Sequence, residues 1–114
     1  MSQCLFCSII EKKIKAEIIY EDNDVLVFRD ISPQAPHHVL IIPKKHIANL
    51  LKLEDTDAQL LASIAHAIKE VAKSCGVETD GFRIVINNGP NAGQAVDHLH
   101  FHLLGGRKLN WPPG

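Results

Sequence analysis

Residues 98–104 read His98-Leu99-His100-Phe101-His102-Leu103-Leu104, with three histidines at alternate positions and apolar residues between them. A β-strand turns successive side chains to opposite faces. On a strand the three imidazoles therefore share one face, spaced roughly 6.5–7 Å along the chain. Leu99, Phe101 and Leu103 share the other face and anchor it in a core. Three groups with an ordinary pKa of about 6.5 then point towards one cleft. A solvated strand face seldom uses histidine three times in succession, so the alternation predicts a functional strand.

Two chemistries suit such a strip. Histidines at i and i+2 can reach one zinc ion. Alternatively, one histidine attacks phosphorus while its neighbours orient it and move protons. The flanking sequence favours the second. Upstream runs Asn87-Asn88-Gly89-Pro90-Asn91-Ala92-Gly93-Gln94-Ala95, a turn-rich loop whose backbone can approach an anion and offer it N–H groups. Downstream runs Gly105-Gly106-Arg107.

Working outward, Leu5 to Lys12 has helical spacing. Glu17 to Glu21 and Asp24 to Arg29 alternate as strands around an Asp22-Asn23 turn. Pro33 and Pro36 interrupt regular structure, and His38 to Ile42 forms a third strand ended by Pro43. Asp55 or Thr56 can cap a long helix over Asp57 to Cys75. Its apolar stripe is Leu60, Leu61, Ile64, Ala65, Ile68, Val71, Ala72 and Cys75, and Gly76 stops it. Phe82 to Asn87 and Val96 to Leu104 complete the strands, and their short connection favours an antiparallel pair. The pattern predicts an α+β fold over residues 1–114: a five-stranded, mostly antiparallel sheet with one long and one short helix on one of its faces.

Composition narrows the function classes. The chain has 114 residues, enough for one domain, and 46% are hydrophobic, enough for a core. No apolar run reaches membrane-spanning length, and the opening residues lack a signal-peptide pattern. Twelve basic against thirteen acidic residues give a net charge of −1. Neither a nucleic-acid polymer nor a membrane surface is an expected partner of so balanced a chain. Three cysteines fit a reducing compartment, hence the cytoplasm, or the nucleus in a eukaryote.

At this level the chain resembles the histidine triad family, in its nucleotide-binding Hint branch. The resemblance rests on Asp30-Ile31-Ser32-Pro33-Gln34-Ala35-Pro36-His37-His38, on Ile42-Pro43-Lys44-Lys45-His46-Ile47, on Asn87 to Gly106, and on the closing Trp111-Pro112-Pro113-Gly114. It implies a homodimer in which two sheets join into ten strands, with the tail near the partner's active site. It also implies hydrolysis or transfer of nucleoside monophosphate conjugates, purine nucleoside phosphoramidates above all, through a covalent nucleotidyl-histidine. No cofactor is needed for that chemistry.

Site roles follow residue by residue. His100 is the expected nucleophile, with its second ring nitrogen held by a backbone carbonyl. His102 moves protons at the leaving group, His38 contacts the phosphate, and His98 completes the catalytic set. Gln94 and the amides of Gly93, Ala95 and Val96 are expected on phosphate oxygens, and Asn87 on the ribose–phosphate linkage. Asp30 accepts from the ribose hydroxyls. Phe28, Ile31 and Ile18 supply apolar walls for the base. His37 reads as a surface residue, and His66 as structural or solvated. Many Hint relatives carry serine where this chain has Ala95, which predicts a slower or differently selective enzyme. Ala92 replaces a usual glycine and would be strained if its φ were positive.

Cys4-Leu5-Phe6-Cys7 has metal-ligand spacing, and His46 and His98 could complete a tetrahedral zinc site. Several histidine triad relatives bind a structural zinc in this way. The alternatives are two small buried cysteines, with His98 serving only the triad, or a redox pair. For the whole chain, two further functions compete with the hydrolase. One is a nucleotide-binding or protein-interaction module with vestigial catalysis. The other is a metal-dependent hydrolase that uses the triad as ligands.

Overall fold

A computed structural model describes residues 4–114. The elements are α1 (Leu5–Ile10), β1 (Ile18–Glu21), β2 (Val25–Arg29), β3 (His37–Pro43), α2 (Ala58–Ser74), β4 (Phe82–Ile86) and β5 (Phe101–Gly105), with short 3₁₀ turns between them. The five strands form one sheet in the order β1-β2-β3-β5-β4. Every neighbouring pair is antiparallel. Asp22 closes the β1–β2 hairpin, its Oδ1 accepting from the amides of Asp24 and Val25 at 2.8 Å each.

Both faces of the sheet are covered. On one face Val25, Val27, Val39, Ile41, Phe101 and Leu103 pack with Ile64, Ala67, Val71 and Ala72 of α2. On the other, Leu26, Phe28, Leu40 and Ile42 pack with Phe6 and Ile9 of α1. The expectation that both helices share a face is therefore corrected. A short, partly apolar helix carries no sequence mark of which face it covers.

Boundaries shifted for identifiable reasons. α1 stops at Ile10 because Lys12 takes a left-handed φ of 63°. The amides of Lys12 and Lys13 then return to the carbonyls of Ile9 and Ser8, closing the helix end. α2 is entered through a 3₁₀ turn over Asp55–Asp57, where Glu54 and Asp57 form a reciprocal capping box, one residue before the predicted cap at Asp55. Lys45 Nζ lies 2.8 Å from Asp57 Oδ1, which holds that carboxyl below its usual range. Along α2, Ala67 is buried, whereas Leu61 and Ala65 lie outside the buried stripe. Gly76 (φ 73°) ends the helix as expected. No described helix is long and apolar enough to cross a membrane.

β5 begins only at Phe101, so His98 and His100 precede the strand predicted from Val96. The pairing Ile41↔Phe101 would continue to Pro43 opposite Leu99, where Pro43 has no N–H for the ladder. On the other side, β4 ends at Ile86, opposite Phe101. Alternation persists all the same. Leu99, Phe101 and Leu103 enter the α2-side core. His98 and His100 are buried on the opposite side, where His102 is half-buried.

Candidate active site and metal centre

His100 and His102 open onto a cleft of about 460 Å³, whereas His98 and His38, the latter expected on the phosphate, lie outside its lining. His100 and His102 form its floor with Leu40, Phe28 and Asp30. Asn87, Gly93, Ala95 and Val96 line it from the loop, and Leu5, Phe6 and Ile9 from α1. A larger depression of about 550 Å³, around Phe82, Arg83 and Arg107, shares no residue with it and contains none of the histidines.

Hydrogen bonds define which nitrogen carries each proton. His100 Nδ1 lies 2.7 Å from the carbonyl of His98, so Nδ1–H donates and Nε2 keeps its lone pair. His38 Nδ1 accepts from the amide of Gln34 at 3.0 Å, which puts the His38 proton on Nε2. That Nε2 lies 2.9 Å from His102 Nδ1. His102 therefore accepts at Nδ1 and carries its own proton on Nε2. The site presents an unprotonated nitrogen on His100 beside an N–H on His102, with ring centroids 5.2 Å apart.

Burial favours the neutral form of His102 and His38. His102 is pushed down to about 4, first by desolvation and then by the neighbouring His100 and His38 rings. Burial also lowers His38, partly offset by Asp30, whose Oδ2 is 3.5 Å from His38 Nε2. In the folded protein His102 thus binds its proton more weakly than in the unfolded chain, where the value is near 6.5. Between these values the unfolded state holds more protons, so stability rises with pH and is lost as pH falls from about 6.5 towards 4. Thermal melts across this window should show Tm falling with acidification. His102→Asn, which keeps an acceptor for His38, should flatten the slope; an unchanged slope would contradict the assignment.

Asp30, His38 and His102 also lie close enough to hold an ion. Their proton arrangement opposes it, because His38 Nε2 carries the hydrogen that a metal would have to replace. Moving that proton to Nδ1 would set two donors, Gln34 N–H and His38 N–H, against each other. This weighs against the triad serving as a set of metal ligands.

Cys4, Cys7, His46 and His98 form a second group whose ligand atoms lie within 4.8 Å of one another. His98 Nε2–H donates to the carbonyl of Pro43 at 2.8 Å, which turns the Nδ1 lone pair towards the sulfurs. His98 Nδ1 is 3.4 Å from Cys4 Sγ, 3.6 Å from Cys7 Sγ and 3.2 Å from His46 Nδ1, and Cys7 Sγ is 3.3 Å from His46 Nδ1. Ligands of a tetrahedral zinc sit about 3.3 Å apart for two nitrogens and about 3.6 Å for nitrogen and sulfur, from the usual bond lengths. The donor set, its spacing and the neutral His98, whose pKa burial lowers, all fit a structural zinc ion.

Several expected residues take other places. The Gln94 side chain is absent from the cleft wall. Its Nε2 donates to the carbonyls of Ala48 and Val96, and its Oε1 accepts from Gly89 N–H, so it braces the loop. Gly93 N–H is occupied by Pro90 O. The amides of Ala95 and Val96 meet no acceptor among the described residues and remain available to an anion. Asp30 Oδ1 already accepts from Ser32 N–H at 2.8 Å, leaving mainly Oδ2 for a ligand. Ile31 is 97% exposed at the cleft mouth, whereas Ile18 does not line the cleft. His37 is half-buried in β3 rather than on the surface, and its Nδ1 has no partner among the described residues. Ala92 is not strained: Gly89 (φ 86°) and Gly93 (φ 81°) take the positive angles, and Lys12 is the only described non-glycine that does so. Sequence reading missed Leu5, Phe6, Ile9 and Leu40 as cleft residues. The apolar spacing of the first helix was visible, but not what it covered.

An antiparallel sheet covered on both faces, with a tautomer-fixed histidine series over a nucleotide-sized cleft, defines a histidine triad fold. The family comparison agrees: residues 11–109 match the HIT domain, and the chain belongs to that family. It is 50% identical to a 14 kDa zinc-binding protein of Zea mays, over 99% of this chain and 89% of the relative. It is 52% identical to an uncharacterised HIT-like protein of Synechococcus elongatus, over 96% of each. Among solved structures, a HIT family hydrolase from Legionella pneumophila superposes with a TM-score of 0.96 at 50% identity, covering 98% of this chain and all of that one. A histidine triad protein from Clostridium difficile gives 0.92 at 40% identity, covering 96% of each. The family and these neighbours support a hydrolase of the nucleotide-handling kind.

Proposed function

We propose that the chain is a purine nucleoside phosphoramidate hydrolase or related nucleotidyl transferase of the Hint type. One observation carries the reading: His100 Nδ1–H is held by the His98 carbonyl, which leaves Nε2 unprotonated in a cleft beside the His102 N–H. His100 Nε2 attacks phosphorus, the P–N bond breaks, and the leaving amine takes a proton from His102. Negative charge on the bound phosphate raises the His102 pKa, so as substrate binds the ring gains that proton at Nδ1, and the His38 Nε2–H is taken over by Asp30 Oδ2, 3.5 Å away. Water then attacks the nucleotidyl-histidine and gives its proton back to His102. His38 holds His102 in the donor tautomer. The amides of Ala95 and Val96 stabilise the phosphate oxygens, and Asn87 contacts the ribose–phosphate linkage. Asp30 holds the ribose, while Phe28, Leu40, Ile31 and α1 enclose the base.

Zinc at Cys4, Cys7, His46 and His98 supplies a structural crosslink and takes no part in these steps. The homodimer is proposed on the same family grounds. β4 is an edge strand, and two such edges can join five strands to five. Incubation with adenosine 5′-phosphoramidate tests the reading: release of AMP and ammonia supports it, and intact substrate contradicts it.

Ala95 retains the backbone amide but has no hydroxyl. One added hydrogen bond in the transition state is worth about 1 kcal/mol, or about fivefold in rate. Ala95→Ser should raise the single-turnover rate by about that factor; no gain would show that the hydroxyl has no role here.

A further inference from the structure

The metal cluster and the nucleotide cleft are built on the same six-residue helix. Cys4 caps α1 and Cys7 lies within it, and between them Phe6 turns into the catalytic cleft. The Phe6 ring meets His100 edge-on, with centroids 5.1 Å apart at 90°, and meets His98 at 5.9 Å and Phe28 at 5.4 Å. Leu5 and Ile9 continue the same wall. A depression beside the cluster is lined by Cys4, Leu5, His46, Ala95, Val96 and Asp97, three of which also line the cleft. A second connection runs through His98. Its ring faces the cluster through Nδ1 while its carbonyl holds the His100 Nδ1–H.

A helix of six residues has little stability of its own in water, since nucleation costs more than so few hydrogen bonds return. Phe6 and Ile9 are buried against the sheet with Ile10 packed beside them, and the ligand cluster adds the anchorage at the helix N-terminus. We infer that the Cys4/Cys7/His46/His98 centre is a positioning device for the catalytic site: a bound metal clamps α1 so that Phe6 orients the His100 ring and the apolar wall closes on the nucleotide. The inference rests on reading the cleft as the nucleotide site. Phe6 is accordingly a positioning residue for His100 as well as part of the wall. Metal and nucleotide then bind with positive coupling, and the coupling is reciprocal.

The test uses the full chain loaded with one zinc per protomer and the same protein stripped by chelator, with circular dichroism confirming that the sheet persists. AMP binding is measured by calorimetry in both forms, and zinc release to a colorimetric chelator is timed with and without AMP. Zinc should tighten AMP binding about tenfold, within the usual range of coupling between sites, and AMP should slow zinc release. Phe6→Ala should retain one zinc but lose the effect of AMP on its release. A third readout needs no nucleotide: ¹⁵N NMR of His100 should show a fixed Nδ1–H tautomer in the loaded protein and a mixture in the stripped one. Equal AMP affinity in both forms, with an unchanged His100 spectrum, would overturn the inference and leave the nucleotide reading intact. Failure of the loaded protein to bind AMP would overturn that reading instead. The His100 spectrum would then still decide whether the centre positions the ring.

Discussion

Replacing His100 with alanine is expected to lower kcat/KM on adenosine 5′-phosphoramidate by about 10⁴-fold or more, with little change in fold or zinc content. The side chain supplies the atom that forms the covalent intermediate, and no neighbour can take its place. His102 Nε2 carries a proton, and His98 Nδ1 faces the cysteines. Loss of a nucleophile removes an entire reaction path, whereas loss of a binding contact removes only its increment. Burial of His100 at 6% exposure keeps bulk water from substituting freely for the ring. AMP affinity measured alongside should change far less than the rate. A variant that keeps more than a tenth of the wild-type rate would contradict nucleophilic catalysis and favour a binding module.

Substitution of His102 by alanine should cost about 10²–10⁴-fold, the usual worth of a positioned acid–base group. The loss should depend on the leaving group. An amine of high basicity must be protonated as it departs, so the variant should suffer the full penalty on alkyl phosphoramidates. A leaving group that departs readily as an anion, such as a nitrophenolate, needs no proton, and the penalty should shrink to about tenfold or less. Kinetics on both substrate types separate this role from a merely structural one. Equal losses on both would show that His102 acts by holding His38 or the phosphate rather than by moving a proton.

Period-two alternation over residues 98–104 was enough to place the histidines together, because burial of Leu99, Phe101 and Leu103 leaves the intervening side chains only one direction. The Cys4/Cys7 spacing with His46 and His98 was likewise legible, since metal ligands impose narrow geometry. Other features were not legible, for physical reasons. Pro43 ends the ladder from the neighbouring strand, a long-range effect that the 96–100 segment itself does not encode. Gln94 resembles a phosphate donor by type, yet three loop hydrogen bonds occupy it. Asp30 combines both readings, capping a turn with one oxygen and facing the cleft with the other. The helix face opposite α2 depends on where α1 docks, and local periodicity says nothing about docking. The proton chain from Gln34 through His38 to His102 includes a link between residues 64 positions apart and exists only in three dimensions.

The central claim is that His100 becomes covalently attached to the nucleotide during turnover. Rapid mixing with adenosine 5′-phosphoramidate, quenching under alkaline conditions that preserve phosphohistidine, and peptide mass spectrometry test it most directly. The account predicts an acid-labile adenylyl group on the peptide carrying His98, His100 and His102. The adduct should vanish in His100→Ala and persist in His98→Asn or His102→Asn. Rapid steady-state turnover with no adduct at any mixing time, or an adduct that survives in His100→Ala, would contradict it.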